Sequence, residues 1–288
     1  MIVVIGATGN VGSELVAQLH LLDYPLRALV RDPARALEIL GPEIELVPGD
    51  LARPQSLDAA LAGADRMFLC CATSREQVEL ETHAIEAAAR VGLAHVVKLS
   101  MLGADPRSPV PYRRWHGEIE RRLERSGVAY AHLRPTFFMQ TTRGMLAPDG
   151  ALYVPVGDGR IAWIDVRDVA SAAVRALTEE GHEGRAYELS GPQSLTFADV
   201  AATLSAATGL AIEHVDVPTD AARDGMLAAG MPGWQVEASM AMLEMMREGG
   251  LDVASDDYER LVGVPPHSFD DFARDFAGDF QSQAGGNP

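Results

Sequence analysis

Met1-Ile-Val-Val-Ile-Gly6-Ala-Thr-Gly9-Asn-Val-Gly12 is the stretch that decides the fold. An apolar run of strand type leads straight into glycines at 6, 9 and 12, and Leu15, Val16, Leu19 and Leu22 then recur at helical spacing. The order is strand, tight turn, helix. One glycine bends the chain, another admits a diphosphate with no Cβ in the way, and the third lets helix and strand pack closely. Free N–H groups at the positive end of the helix dipole would hold the phosphates. Glycines so placed predict a dinucleotide site lined by Gly6, Thr8, Gly9, Asn10, Val11 and Gly12.

Working outward, Leu26 to Val30 reads as a second strand ending in Arg31-Asp-Pro-Ala-Arg35. A dinucleotide fold sets the residue at this strand end, about 20 residues past the glycines, beside the adenosine ribose. A carboxylate there binds the 2′-hydroxyl of NAD, whereas a guanidinium suits a 2′-phosphate, so Arg31, with Arg35 as a second candidate, favours NADPH. Asp32 is open to two readings: it could take the hydroxyl, or with Pro33 it starts the next helix as N-cap and first residue. Residues 44–47 form a third strand ending at Asp50 and Leu51, and a short helix follows over 56–61. Residues 66–72 form an apolar strand of the kind found at the centre of a parallel sheet. A helix over 76–91 and a fifth strand over 95–100 complete the run. Alternation of this kind specifies an α/β fold, a doubly wound parallel (Rossmann) sheet with ligands at the carboxyl ends of its strands. Those ends add Asp50, Leu51, Ala72, Thr73 and Ser100 to the expected coenzyme contacts.

Beyond this point a helix over 117–125 and a sixth strand over 128–134 are expected, with Gly127 as the stop between them. The pattern loosens after Pro135. Helices are expected over 166–177, 197–208 and 234–247, the last preceded by the segment 219–229 and a break at Met231-Pro-Gly233, short strands over 186–189 and 212–217, and a final helix over 268–280 with Phe269, Phe272, Phe276 and Phe280 on one face. We divide the chain into a nucleotide domain over 1–135, a region over 136–280 in which a small α+β cap is interleaved with the last sheet elements, and a disordered tail over 281–288.

The 288 residues carry a formal net charge of −17, which argues against recognition of nucleic acid through its phosphates. Cys70 and Cys71, the only cysteines, are adjacent and read as core packing, so no disulfide framework exists. No apolar run reaches membrane-spanning length and no basic leader precedes the first strand, so a cytoplasmic monomer or homodimer is expected. Metal binding is not expected, since no cluster has ligand spacing along the sequence.

Gly6 to Gly12, Arg31-Asp-Pro, Gly49-Asp50-Leu51, Lys98-Leu-Ser100, Leu133-Arg-Pro135-Thr-Phe-Phe-Met139 and Trp163-Ile-Asp-Val-Arg-Asp168-Val-Ala together resemble the NmrA-like branch of the atypical short-chain dehydrogenase/reductases. The resemblance covers the chain up to its tail. It implies an NAD(P)H-binding fold whose later half caps the nicotinamide, with Pro135 and Phe137 beside the coenzyme. It leaves the substrate open, because the branch holds quinone, dye and isoflavone-type reductases, polyketide ketoreductases, and redox sensors that turn nothing over.

Ordinary short-chain reductases use Tyr-x-x-x-Lys. Lys98 is the only lysine here and Ala94 stands four residues before it, so that pair cannot form. Tyr112-Arg-Arg-Trp-His116 keeps the spacing with His in place of Lys. His116 could donate a proton near neutral pH or hold the ribose, or the two residues could be a surface pair on a polar helix. Ser100 is a candidate hydrogen-bond donor to the substrate oxygen, and Lys98, on the same strand face, is expected to pair with a carboxylate. Met101, Phe138, Met139, Met226, Met231 and Trp234 are the expected substrate contacts, since thioethers and rings suit flat, hydrophobic ligands; with Met240, Met242, Met245 and Met246 the later residues form a stripe at helical spacing that reads equally as core. The resulting expectation is an NADPH-dependent reductase of a carbonyl, quinone or conjugated bond in an aromatic small molecule, such as a polyketide-type metabolite. The rival is a nucleotide sensor without turnover.

Overall fold

The computed structural model describes residues 1–285. The first half alternates β1 (Ile2–Ile5), α1 (Asn10–Leu21), β2 (Leu26–Val30), α2 (Pro33–Leu40), β3 (Glu45–Pro48), α3 (Leu57–Leu61), β4 (Arg66–Leu69), α4 (Gln77–Val91), β5 (His95–Leu99), α5 (Pro111–Glu124) and β6 (Ala129–Pro135). The second half runs α6 (Thr141–Met145), β7 (Ala151–Tyr153), α7 (Val166–Thr178), β8 (Arg185–Leu189), α8 (Phe197–Thr208), β9 (Glu213–Val215), α9 (Thr219–Ala228), α10 (Gly233–Arg247), α11 (Asp257–Val262), α12 (Phe269–Asp275) and α13 (Ala277–Gly285).

Seven strands form one parallel sheet in the order β3-β2-β1-β4-β5-β6-β8. Strand order reverses between β1 and β4, which opens a crevice beyond their carboxyl ends, beside the glycine turn. Alternate residues of each strand serve opposite faces. Val4, Phe68, Val97 and Leu133 pack against α1 and α7, while Val3, Met67, Leu69 and Val96 pack against α3, α4 and α5. A third apolar cluster joins α8, α10 and α12 around Trp163, whose ring meets Phe137, Phe197 and Phe269 edge-on at 5.2, 5.1 and 5.8 Å. Strands β7 and β9 pair in parallel beside it.

Several boundaries differ from the sequence expectation. β4 stops at Leu69, and just past it the glycine turn lies so close that a Cβ at Gly6 would stand 2.6 Å from the Cys70 carbonyl oxygen. α5 starts at Pro111, a residue pre-set for the first helical position, six residues before its predicted start. Its first turns carry polar and aromatic side chains that hid the periodicity. The final helix is two, with Phe276 between them: Ser268 and Asp271 form a capping box at α12, and Phe269, Phe272 and Phe280 are buried. The expected disordered tail is also corrected in part. Residues 281–285 continue α13, and the Gln281 amide donates to the Thr208 carbonyl at 2.7 Å. Residues 286–288 lie outside the described residues. No described helix is long and apolar enough to cross a membrane.

Candidate functional site

The glycine turn separates three requirements. Gly6 has φ +78°, a region that favours glycine, and it abuts Cys70. A Cβ at Gly12 would stand 2.1 Å from the Gly6 carbonyl oxygen, so α1 can approach the turn only without one. Gly9 is different: its Cβ would meet nothing nearer than 3.3 Å, and it caps α1 in extended conformation with no side-chain hydrogen bond. Packing therefore tolerates a side chain at Gly9, whereas a ligand over the first-turn N–H groups of Asn10, Val11 and Gly12 would not. Thr8, Gly9 and Asn10 are exposed, and Val11 and Gly12 are buried behind them. This open, uncapped helix end fits a diphosphate.

At the end of β2 the Asp32 carboxylate accepts the Arg35 N–H at 3.1 Å and Pro33 follows as the first helical residue, so Asp32 is committed to capping α2. Arg31 and Arg35 are exposed, and no described carboxylate lies within ion-pairing distance of either. Both fit a 2′-phosphate. Asp50 is half-buried and accepts the Ala52 N–H at 3.0 Å; Leu51 is buried, its carbonyl 2.8 Å from His83 Nδ1. Ala72 and Thr73 are exposed past β4, and the buried Pro135 accepts the Leu102 N–H at 2.9 Å. Burial pushes the Cys70 thiol up to about 12 and Cys71 to about 11, with Glu81 adding to both, so neither is a thiolate at neutral pH.

Between the sheet and α4 and α5 lies a buried polar layer. Lys98, fully buried, meets Glu81 at 2.9 Å, His116 Nδ1 at 3.1 Å and the Leu99 carbonyl, and Gln77 donates to the other Glu81 oxygen at 3.1 Å. The carboxylate expected for Lys98 is thus Glu81. Burial raises the Glu81 carboxyl pKa, opposed by Lys98 and Gln77. Burial first, and then the Lys98 ammonium, hold the His116 ring well below its usual range. His116 is half-buried with Nδ1 on Lys98 and the Tyr112 hydroxyl reaches Ser239, so the surface-pair reading is corrected. It is also a neutral imidazole at pH 7, which removes it as an imidazolium donor.

Ser100 is only 4% exposed and sits beside Glu120 with no aligned hydrogen bond to its Oγ. Glu120 binds Arg134 through both oxygens, at 3.0 and 2.7 Å. Burial would raise the Glu120 carboxyl, but Arg134, His132 and Ser100 outweigh it and the net shift is downward. Glu120, Glu124 and His132 bring ligand-type atoms within 4.8 Å of one another, a grouping across sequence that spacing could not reveal. Arg134 already supplies the cation there.

A cavity of about 370 Å³ opens beneath α9 and α10. It is lined by Tyr112, Phe137, Met145, Met226, Met231, Met242, Leu243 and Met246, with Ser239 on its wall 3.2 Å from the Tyr112 hydroxyl. Of the expected substrate contacts the structure brings Met226 and Met231 here, together with Tyr112 and Phe137. Four others lie elsewhere. Phe138 bridges to Ile164 and packs on the α1–α7 core, and Met139, 1% exposed, belongs to the Trp163 cluster. Trp234 tilts against Trp115 at 5.9 Å under the Arg75 guanidinium, and Met101 is half-buried away from the cavity lining. Met242 and Met246, from the methionine stripe of the cap, also line the cavity, and Met145 and Ser239 join it without having been foreseen.

A profile of the NmrA-like family matches residues 1–264. The chain is 38% identical to an NAD(P)H azoreductase of Xenophilus azovorans, covering 97% of this chain and 99% of that one. It is 36% identical to the (4-alkanoyl-5-oxo-2,5-dihydrofuran-3-yl)methyl phosphate reductase of Streptomyces griseus, covering 96% and 98%. The NADPH-dependent quinone oxidoreductase of Escherichia coli, solved with NADPH, superposes with a TM-score of 0.86 at 26% identity over 96% of this chain and 99% of that one. An uncapped glycine turn at the switch point of a seven-stranded sheet, found in a chain that the family profile spans almost to its end, places this protein in the NmrA-like family.

Proposed function

We propose that this protein, an NAD(P)H-dependent oxidoreductase of the NmrA-like family, transfers hydride from NADPH to a flat, hydrophobic, conjugated acceptor held in the methionine-lined cavity. The cavity carries the reading. It is mostly apolar, its polar side chains being the Tyr112–Ser239 pair and Tyr153, whose hydroxyl is bonded to Asp149, and Met226, Met231 and Met242 give it walls that adapt to planar rings. Its volume of about 370 Å³ lies at the small end for ligand pockets, which suits a two- or three-ring molecule. Quinone and azo groups are acceptors of this shape, and relatives act on both.

In this reading the N–H groups of Asn10 to Gly12 bind the diphosphate and Arg31, with Arg35 beside it, binds the 2′-phosphate. Asp50, Leu51, Ala72, Thr73 and Phe137 line the cleft between. NADPH supplies the hydride. Tyr112 and Ser239 offer hydroxyls to the acceptor heteroatom and fix its orientation, while the thioethers exclude water. An extended π-system spreads the developing negative charge over itself, so the product can take its proton from solvent and no Tyr-Lys pair is required. Proximity of the two bound molecules then supplies much of the rate. Incubation with NADPH and a panel of 1,4-naphthoquinone, an azo dye and a polycyclic ketone tests the reading. We expect NADPH oxidation with at least the quinone or the azo compound; no oxidation with any acceptor, by protein shown to bind NADPH, counts heavily against turnover and favours a sensor.

A further inference from the structure

The only lysine of the chain is buried in β5 and has no solvent to bond. An ammonium has three donors and no acceptor. Lys98 turns one toward Glu81 Oε2, an ion pair at 2.9 Å without an aligned hydrogen bond, donates a second to the Leu99 carbonyl and a third to His116 Nδ1 at 3.1 Å. The third bond dictates the state of the histidine. Nδ1 must be the acceptor, so the ring hydrogen sits on Nε2, and a second ring proton would set N–H against N–H. Nε2 has no partner among the described residues, and the half-buried ring leaves it accessible.

We propose that Glu81 and Lys98 lock His116 as a neutral Nε2–H donor, and that this donor binds a hydroxyl of the nicotinamide ribose. Lys98 is then a positioning residue: a cation supplied by the strand beneath replaces the one that α5 lacks. The placement supports this target. Tyr112 lies about one helical turn before His116 and reaches the acceptor cavity, so His116 sits about 6 Å further along the helix. Bonded to Lys98 next to the last residue of β5, it stands by the carboxyl end of that strand, in the crevice where this fold holds its dinucleotide.

The charged and titratable neighbours favour the same state. From β5 and α4 come Lys98 and Glu81; past β4 lie the un-ionised Cys70 and Cys71 thiols; β6 contributes Arg134 and the neutral His132; α5 itself contributes Tyr112 and Glu120, the latter neutralised by Arg134. No uncompensated carboxylate faces the ring to draw a proton onto it.

This inference rests on the coenzyme reading above, but its first test does not. Nitrogen-15 NMR of the coenzyme-free protein should show His116 neutral, protonated at Nε2 and unchanged between about pH 5.5 and 8. In the Lys98→Met/Glu81→Gln double variant, which leaves no lone buried charge, the ring should sample both tautomers. His116→Phe should weaken NADPH binding about three- to tenfold, the range for one hydrogen bond, and leave the quinone KM at saturating NADPH unchanged. His116→Gln, whose amide N–H reaches close to the Nε2 position, should restore most of the affinity. An Nδ1–H tautomer or an imidazolium at pH 7 overturns the lock. NADPH affinity unchanged in His116→Phe, or a change in quinone KM instead, overturns the ribose contact. Wild-type protein that fails to bind NADPH at all would instead remove the coenzyme reading, whatever the tautomer.

Discussion

Gly12→Ala and Gly9→Ala differ by one methyl each and should fail in different ways. At position 12 the new Cβ would stand 2.1 Å from the Gly6 carbonyl oxygen, 2.7 Å from its carbon and 2.9 Å from the Ala7 Cα, all backbone atoms. Ordinary carbon contact begins near ~3.5 Å, so α1 and the turn must separate by more than about 1 Å. Backbone on both sides cannot swing aside as a side chain can, which puts the cost at the upper end for overpacking, about 3 kcal/mol. At position 9 the Cβ would meet only one atom, at 3.3 Å, and φ is −87°, so stability should fall by less than about 1 kcal/mol. The Gly9 methyl would, however, project from the N-cap of α1 toward a diphosphate lying on the Asn10 to Gly12 N–H groups. Urea unfolding and calorimetric titration with NADPH separate the two cases: Gly12→Ala should lose both stability and binding, and Gly9→Ala should lose binding alone, by about tenfold or more. Wild-type affinity in Gly9→Ala would mean that the phosphates do not lie on this turn, and the reasoning would be wrong.

Arg31→Ala should weaken NADPH binding about tenfold, a charged hydrogen bond discounted for exposure, and change NADH binding less than twofold; equal losses for both coenzymes would remove Arg31 from the 2′-phosphate. Met242→Trp should fill the cavity and raise the quinone KM at least about tenfold while NADPH affinity stays within twofold, whereas an unchanged KM would place the acceptor elsewhere. Acid should destabilise the fold. The His132 ring is held at about 4 against an ordinary 6.5, chiefly by burial, so the unfolded chain binds more protons and stability falls as pH drops from 6.5 toward 4. That single group accounts for about 3 kcal/mol, and His95 and His116 are shifted in the same direction. Glu81 and Asp168, both raised by burial, work in the opposite sense, but three histidines outweigh two carboxylates. Melting temperatures across this range check the sign, and a flat or rising profile toward pH 4 would refute it.

The nucleotide half of the chain was legible because its signals are local. A strand, three glycines and a helix lie within the first 21 residues, and the Asp32 cap needs only Pro33 and Arg35 beside it. The acceptor side was legible in composition but not in detail. Phe137, Phe138 and Met139 are consecutive, yet one lines the cavity, one packs on the α1–α7 core and one fills the Trp163 cluster. Their destinations depend on segments distant in sequence. The link between Lys98 and His116 was hidden for the same reason: the residues lie 18 apart, on a strand and on a helix whose first turns look polar because they face Lys98 and α10. Short elements such as α6, β7 and α11 carry little periodicity and are held by tertiary packing.

A crystal structure of the ternary complex with NADP+ and a quinone tests the central claim most directly. The account predicts the diphosphate on the Asn10 to Gly12 N–H groups, the 2′-phosphate at Arg31, and the quinone ring among Met226, Met231 and Met242 with an oxygen at Tyr112 or Ser239. A coenzyme lying away from the glycine turn, or a quinone outside the methionine cavity, would contradict it.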